Sequence, residues 1–203
     1  MKQATKPADK QVYAFVDSQN LNLGTQLAGW KLDWRKFLEY LKKEHGVTRA
    51  YLFIGHKVEH EAMYEQLHDL GYSVVLKPTI ETAALANPQT YHDQKIADKA
   101  PKDKSGEDLP KPVVKGNVDT DLVLYVMKEL PNYDQAVIVS GDGDFLALIE
   151  YLDERQKLRA ILTPNWKYSS LLKPFDKNII RLDQHRRELE HKDFRRRVFK
   201  RDK

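Results

Sequence analysis

The stretch AVIVSGDGDFLALIEYL, residues 136–152, carries three patterns in succession. Ala136-Val137-Ile138-Val139 is an uninterrupted apolar run of the kind found in strands buried on both faces. From Leu146 to Leu152 apolar residues recur at helical spacing. Between them, Ser140-Gly141-Asp142-Gly143-Asp144-Phe145 sets two carboxylates one glycine apart where strand gives way to helix. A strand feeding directly into a helix is half of a βαβ unit, so this stretch predicts an α/β fold.

Outward from it, similar apolar runs occur at 12–16 (VYAFV), 50–54 (AYLFI), 73–76 (SVVL) and 159–162 (RAIL). A sixth short strand is read at 179–182 (IIRL). Amphipathic stretches with helical spacing lie between them at 34–45, 58–70, 121–130 and 145–156. The alternation predicts right-handed crossovers and a mostly parallel central sheet with helices on both faces. One segment breaks the pattern. Residues 79–114 are polar and punctuated by Asn87-Pro88, Ala100-Pro101, Leu109-Pro110 and Lys111-Pro112, and read as a flexible insertion or a lid. The resulting division is a polar extension at 1–11, one domain at 12–183 and a basic tail at 184–203.

A chain of 203 residues with 41% hydrophobic and 32% charged residues suits one core inside a charged shell. The absence of cysteine excludes disulfides, thiolate metal ligands and cysteine nucleophiles together. MKQATKPADK at the start lacks the apolar core of a signal peptide, and no run is apolar enough to span a bilayer. A cytoplasmic protein without a membrane partner is expected. The net charge of +4 is uneven: residues 185–203 hold nine Lys/Arg against four Asp/Glu, which leaves the rest of the chain at −1. Such a tail, including Arg186, Arg187, Arg195, Arg196 and Arg197, suits either a polyanion such as nucleic acid or a solvated helix.

In a parallel α/β sheet, ligands bind beyond the carboxyl ends of the strands. Asp17 follows the first strand, Asp142 and Asp144 follow the fourth, and Asp119 precedes the helix that leads into the fourth, so all four reach one rim. Gathered carboxylates raise one another's pKa unless a cation holds them ionised. Oxygen donors alone suit Mg²⁺ or Mn²⁺, which can activate water against a phosphodiester. Each motif also has a structural reading, because Asp is favoured as an N-cap and in turns; Asp144, just before Phe145, fits that role well. Asp119 is expected at the loop-to-helix entry, facing the rim, and Asp121 in the first helical turn, where the helix dipole favours it. An EF-hand beginning at Asp142 is rejected, since Leu146 and Ala147 stand where an oxygen ligand and a glycine are needed. An aspartate-nucleophile phosphatase would want an acid where Gln19 stands.

Three motifs in order resemble the NYN domains of the PIN-like nuclease superfamily, in particular the LabA-like branch: Phe15-Val16-Asp17-Ser18-Gln19-Asn20-Leu21-Asn22, Lys115-Gly116-Asn117-Val118-Asp119-Thr120-Asp121-Leu122, and Ser140 through Phe145. The resemblance spans roughly residues 12 to 183. It implies a Rossmann-like, three-layer PIN-like fold and metal-dependent ribonuclease activity, with Asp17, Asp119 and Asp142 as catalytic metal ligands. It further implies that Asn20 orients the site by hydrogen bonds, that Lys115 meets phosphate or balances the acids, and that Ser140 and Asp144 support the third motif. Trp166, Lys167 and Tyr168 follow the fifth strand on the same rim and fit either base stacking with a phosphate contact or packing beneath the next helix. The seven histidines lie outside any catalytic pattern. A metal-dependent ribonuclease is therefore expected, against a non-catalytic RNA-binding or regulatory module that keeps the cation site, or a phosphatase. RNA is the expected partner, with DNA, a second copy and a protein partner left open.

Overall fold

The computed structural model describes residues 10–56, 58–77 and 118–192. Strand and helix alternate through β1 (Val12–Asp17), α1 (Ser18–Leu27), α2 (Trp34–His45), β2 (Arg49–Gly55), α3 (Glu61–Asp69), β3 (Ser73–Lys77), α4 (Val118–Glu129), β4 (Gln135–Val139), α5 (Leu146–Glu154), β5 (Leu158–Thr163), β6 (Ile179–Arg181) and α6 (Arg186–Leu189). Short 3₁₀ segments precede α3, α5 and α6, and another, Ser170–Asn178, leads into β6.

All strand pairs are parallel, in the order β3-β2-β1-β4-β5-β6. The sheet is thus wholly parallel where a mostly parallel one was expected. Side chains alternate across it with period two. Ala14, Val16, Leu52, Val137 and Val139 meet α2 through Phe37, Leu38 and Leu41. Phe15, Phe53 and Ile138 meet α4 and α5 through Leu122, Val126, Ile149 and Leu152 on the other face. This is the expected three-layer architecture.

Helix α2 occupies the expected span because both of its ends are written locally. Asp33 accepts the N–H groups of Arg35 and Lys36, and Gly46 ends the helix at φ 66°. Helix α1 had no counterpart among the expected helices. Its first turn is capped by Asp17, and its middle carries Gly24, a residue that ordinarily weakens a helix. Gly24 is required by packing. A Cβ there would stand 2.4 Å from Pro164 Cγ, so only a glycine lets the β5 loop lie on the helix.

The body also runs further than 183. Leu189 is 1% exposed, its carbonyl accepts the Asp33 N–H at 2.8 Å, and the His191 N–H reaches the Lys31 carbonyl at 2.8 Å. Residues 184–191, read from their charge as tail, are therefore packed against α2 and its approach. The insertion expected at 79–114 lies wholly in the span 78–117, outside the described residues.

Candidate active site

In a doubly wound sheet a crevice opens where the strand order reverses, beyond the carboxyl ends of the two central strands. Here those strands are β1 and β4, paired from Val12↔Gln135 to Val16↔Val139. Asp17 ends β1, and Ser140 to Asp142 follow β4 directly.

Asp17 is 5% exposed, yet both of its oxygens are engaged. Oδ1 accepts the Asn20 N–H at 3.0 Å and Oδ2 accepts the Ser140 hydroxyl at 3.2 Å. Ser140 Oγ in turn accepts the Asp142 N–H at 3.2 Å, and Asp142 Oδ1 accepts the Asp144 N–H at 3.0 Å. Asn20 closes the loop, its Oδ1 accepting the Gly141 N–H at 2.9 Å. One hydrogen-bonded network therefore fixes the first turn of α1 against the turn after β4. The cap of that turn is Asp142, whereas Asp144 is exposed and leaves the capping oxygen to its neighbour.

The two glycines act through space. Neither has a positive φ. A Cβ on Gly143 would stand 2.4 Å from Ser169 Oγ, and one on Gly141 3.2 Å from Tyr168 Cβ, so both let the loop after β5 close over the turn.

Charge couples the acids. Burial, foremost, pushes the Asp17 carboxyl above its ordinary 3.8; the Asn20 N–H and the Ser140 hydroxyl pull it down, and the charges of Asp119 and Asp142 push it up. Asp119 is likewise raised, by burial first and then by Asp142 and Asp144. Helix α4 begins at Val118, three residues before the expected start, so Asp119 and Asp121 both lie in its first turn, where the dipole favours negative charge. Two helical positions apart means roughly 200° of rotation. Asp119 feels the charges of Asp142 and Asp144, and Asp121 pairs with Lys77 at 2.9 Å. Among the described residues, no three carboxylate or imidazole side chains already form a cage for a metal ion.

The raised Asp17 makes a testable sign. Its folded state binds the proton more tightly than the unfolded chain, so the associated stability is full below 3.8 and is lost as pH rises through the higher folded value. Asp17→Asn keeps a capping oxygen for Asn20. In metal-free buffer the variant is expected to lose part of this decline, read as a flatter melting temperature against pH above the ordinary carboxylate range. An unchanged slope would remove Asp17 from the coupled set.

The other anticipated residues divide. Trp166 is 55% exposed, so it does not pack beneath a helix. Asn165 explains this: its Nδ2 donates to the Gly24 carbonyl at 2.7 Å and its Oδ1 accepts the Lys167 N–H at 2.7 Å, which pins the loop and turns the indole outward. Tyr168 turns inward against the core, its hydroxyl donating to Asp176 at 3.1 Å. A cleft of about 160 Å³ separates α1 (Asn20, Leu23, Leu27) from this loop (Pro164, Lys167, Tyr168), with Gly141 between it and the acids. Leu23, Leu27 and Asn165 were not anticipated, because nothing local in the sequence marks α1 as a wall. Arg186 spends its guanidinium on Glu190 and the Gly29 carbonyl, while Arg187 is exposed. Lys115, Arg195, Arg196 and Arg197 lie outside the described residues.

Among the described residues no helix is long and apolar enough to cross a membrane. The chain is 27% identical over 146 residues to the low amplitude and bright protein LabA of Synechococcus elongatus, covering 70% of this chain and 67% of that protein. The crystal structure of a protein of unknown function from Vibrio parahaemolyticus shares the fold, with a TM-score of 0.63 and 19% identity over 93% of this chain and 100% of that one. Residues 11–183 match the NYN domain model. By that match the chain belongs to the NYN domain family, within the PIN-like nucleases.

Proposed function

We propose that this protein hydrolyses RNA phosphodiester bonds with the help of Mg²⁺ or Mn²⁺ held by Asp17, Asp119 and Asp142. The observation that supports the reading is that Asp17 and Asp142 are linked through the Ser140 hydroxyl at the sheet's switch point, where the charges of Asp119 and Asp142 push the Asp17 carboxyl up. The donor set fits such a cation. Mg²⁺ keeps several waters and takes one or two carboxylates plus substrate phosphate, so a preformed cage of three is not required. When bound, the cation would lower the pKa of a water and polarise the phosphoryl oxygens.

The chain's own groups hold the carboxylates still. Asn20 and Ser140 orient Asp17, and the Asp144 N–H orients Asp142 while Oδ2 of Asp142 makes no hydrogen bond to a described residue. A covalent route through serine is disfavoured: Ser140 donates to Asp17 and Ser18 donates to the Phe53 carbonyl, with no histidine base at either. Water is the nucleophile this arrangement supports.

The direct test is incubation with single-stranded and structured RNAs in chelator and then in Mn²⁺. Cleavage is expected only with the cation, and undiminished cleavage in chelator would sink the reading. The Lys77 pair separates the two acids of α4. Asp121→Asn should cost a few tenths to about 1 kcal/mol of stability and spare cleavage, whereas Asp119→Asn should spare stability and lose cleavage. The opposite pattern would make Asp121 the ligand.

A further inference from the structure

We propose that residues 193–203 turn back along α1, seat Phe194, Val198 and Phe199 on its exposed leucines and carry their arginines to the acidic rim, so that the chain's own tail competes with nucleic acid there. The competition rests on the ribonuclease reading; the docking does not.

The surface comes first. Leu23 and Leu27 are 50% and 79% exposed, and their i, i+4 spacing puts them on one face of α1. Asn20, three residues before Leu23, continues that face to the turn after β4, where its Oδ1 accepts the Gly141 N–H. With Pro164 and Tyr168 opposite, the face borders the cleft of about 160 Å³. Pockets for drug-sized ligands run to roughly 300–1,000 Å³. This one suits a single side chain.

The path of the backbone selects the occupant. The Asp33 N–H donates to the Leu189 carbonyl, Leu32 bridges Glu190 in antiparallel sense, and the His191 N–H donates to the Lys31 carbonyl. Each step forward from Leu189 is therefore a step back from Asp33. Continued in that register, Phe194 arrives beside Ala28, the C-cap of α1. The chain leaves the described body on course for Leu27.

Reach and composition agree with that course. The ten residues of α1 rise about 15 Å, whereas the eight residues from Lys192 to Lys200 span roughly 26–29 Å when extended. Phe194 and Val198 repeat the four-residue spacing of Leu23 and Leu27, and Phe199 adds a second ring. Six Lys/Arg against two Asp in residues 193–203 meet the opposite charge at the far end of α1, where Asp17, Asp142 and the exposed Asp144 stand. A guanidinium grips a carboxylate through two parallel N–H donors. Tethering lifts the effective concentration of such a segment to the millimolar range, so shallow contacts suffice and a polyanion can still displace it.

The test exploits the absence of cysteine from the full chain. Gln19→Cys/Lys200→Cys sets one thiol at the exposed start of α1 and one in the tail; Leu124→Cys/Lys200→Cys moves the first to the exposed surface of α4, across the sheet from α2. Under mild oxidation of dilute, metal-free protein, the first pair is expected to close about tenfold faster than the second. Adding Leu23→Ser/Leu27→Ser, both at exposed positions, should erase the difference. Equal rates would overturn the proposal, as would a difference that survives the serines. A disulfide formed only between molecules would overturn it too, making the strip an interface between copies. The second readout is anisotropy of a labelled single-stranded oligoribonucleotide in chelator. Phe194→Ser/Phe199→Ser keeps every charge, so it is expected to tighten RNA binding several-fold by freeing the rim. Unchanged or weaker binding would overturn the competition and make the tail an RNA-contacting arm. Neither readout uses cleavage, so a protein that never cleaves RNA would sink the ribonuclease reading while the disulfide still decides the docking.

Discussion

Asp142→Asn should lower RNA cleavage by more than about a hundredfold while leaving the fold in place; outer partners of metal ligands alone are worth roughly 10- to 100-fold. The substitution keeps the shape and the capping oxygen. Asn can accept the Asp144 N–H as Asp142 does, so the 3₁₀ turn after β4 need not change. What is lost is one negative charge that pushes up the carboxyls of Asp17 and Asp119. Thermal melting gives an independent readout. A cation that binds only the folded state at a hundredfold excess over its Kd stabilises it by about 2.7 kcal/mol. Mn²⁺ should therefore raise the melting temperature of the unaltered protein and not that of the variant. Normal cleavage by Asp142→Asn would return the residue to a purely capping role.

Gly24→Ala should destabilise the protein by about 1–3 kcal/mol or more, the usual cost of forcing extra atoms into a packed site. Helix propensity alone points the other way, since Ala is favoured over Gly inside a helix by roughly 0.5–1 kcal/mol. The sign therefore decides which effect wins. The new methyl would meet Pro164 Cγ and Cβ at 2.4 and 2.5 Å, and a proline ring has no rotamer by which to withdraw. The loop must lift, breaking the bond from Asn165 to the Gly24 carbonyl. Urea denaturation reads the loss. A stability at or above that of the unaltered protein would show that the loop moves off α1 at little cost.

The sheet was legible because its central strands, β2, β1, β4 and β5, are buried on both faces, and such strands announce themselves as continuous apolar runs. Helix α2 was legible to the residue because Asp33 and Gly46 punctuate it locally. Helix α1 was not, since the Gly24 that obscures it answers to Pro164. The start of α4 was missed for a related reason. Val118 follows a proline-punctuated stretch, and the acids at Asp119 and Asp121 read equally well as turn residues or as first-turn residues. The acidic motifs themselves stood out by residue type and by position after strands. Two details did not: Asp142 and not Asp144 is the cap, and the glycines around it serve close approach and not a turn dihedral. Trp166 faces outward because of Asn165, whose two hydrogen bonds no local pattern foretells.

The pairing of β1 with β4 also imposes an order in time. Asp17 is made early, but the hydroxyl that holds its Oδ2 belongs to Ser140, and its acidic neighbours Asp119 and Asp142 also lie more than a hundred residues further along the chain. Ribosomes add roughly 5–20 residues per second, so something like 6 to 25 s separates the synthesis of Asp17 from that of Asp142. Throughout that interval the nascent polypeptide lacks at least one of the three acids. On the ribonuclease reading, a copy released early by a stalled ribosome, ending anywhere before β4, would lack Asp142 and be chemically silent.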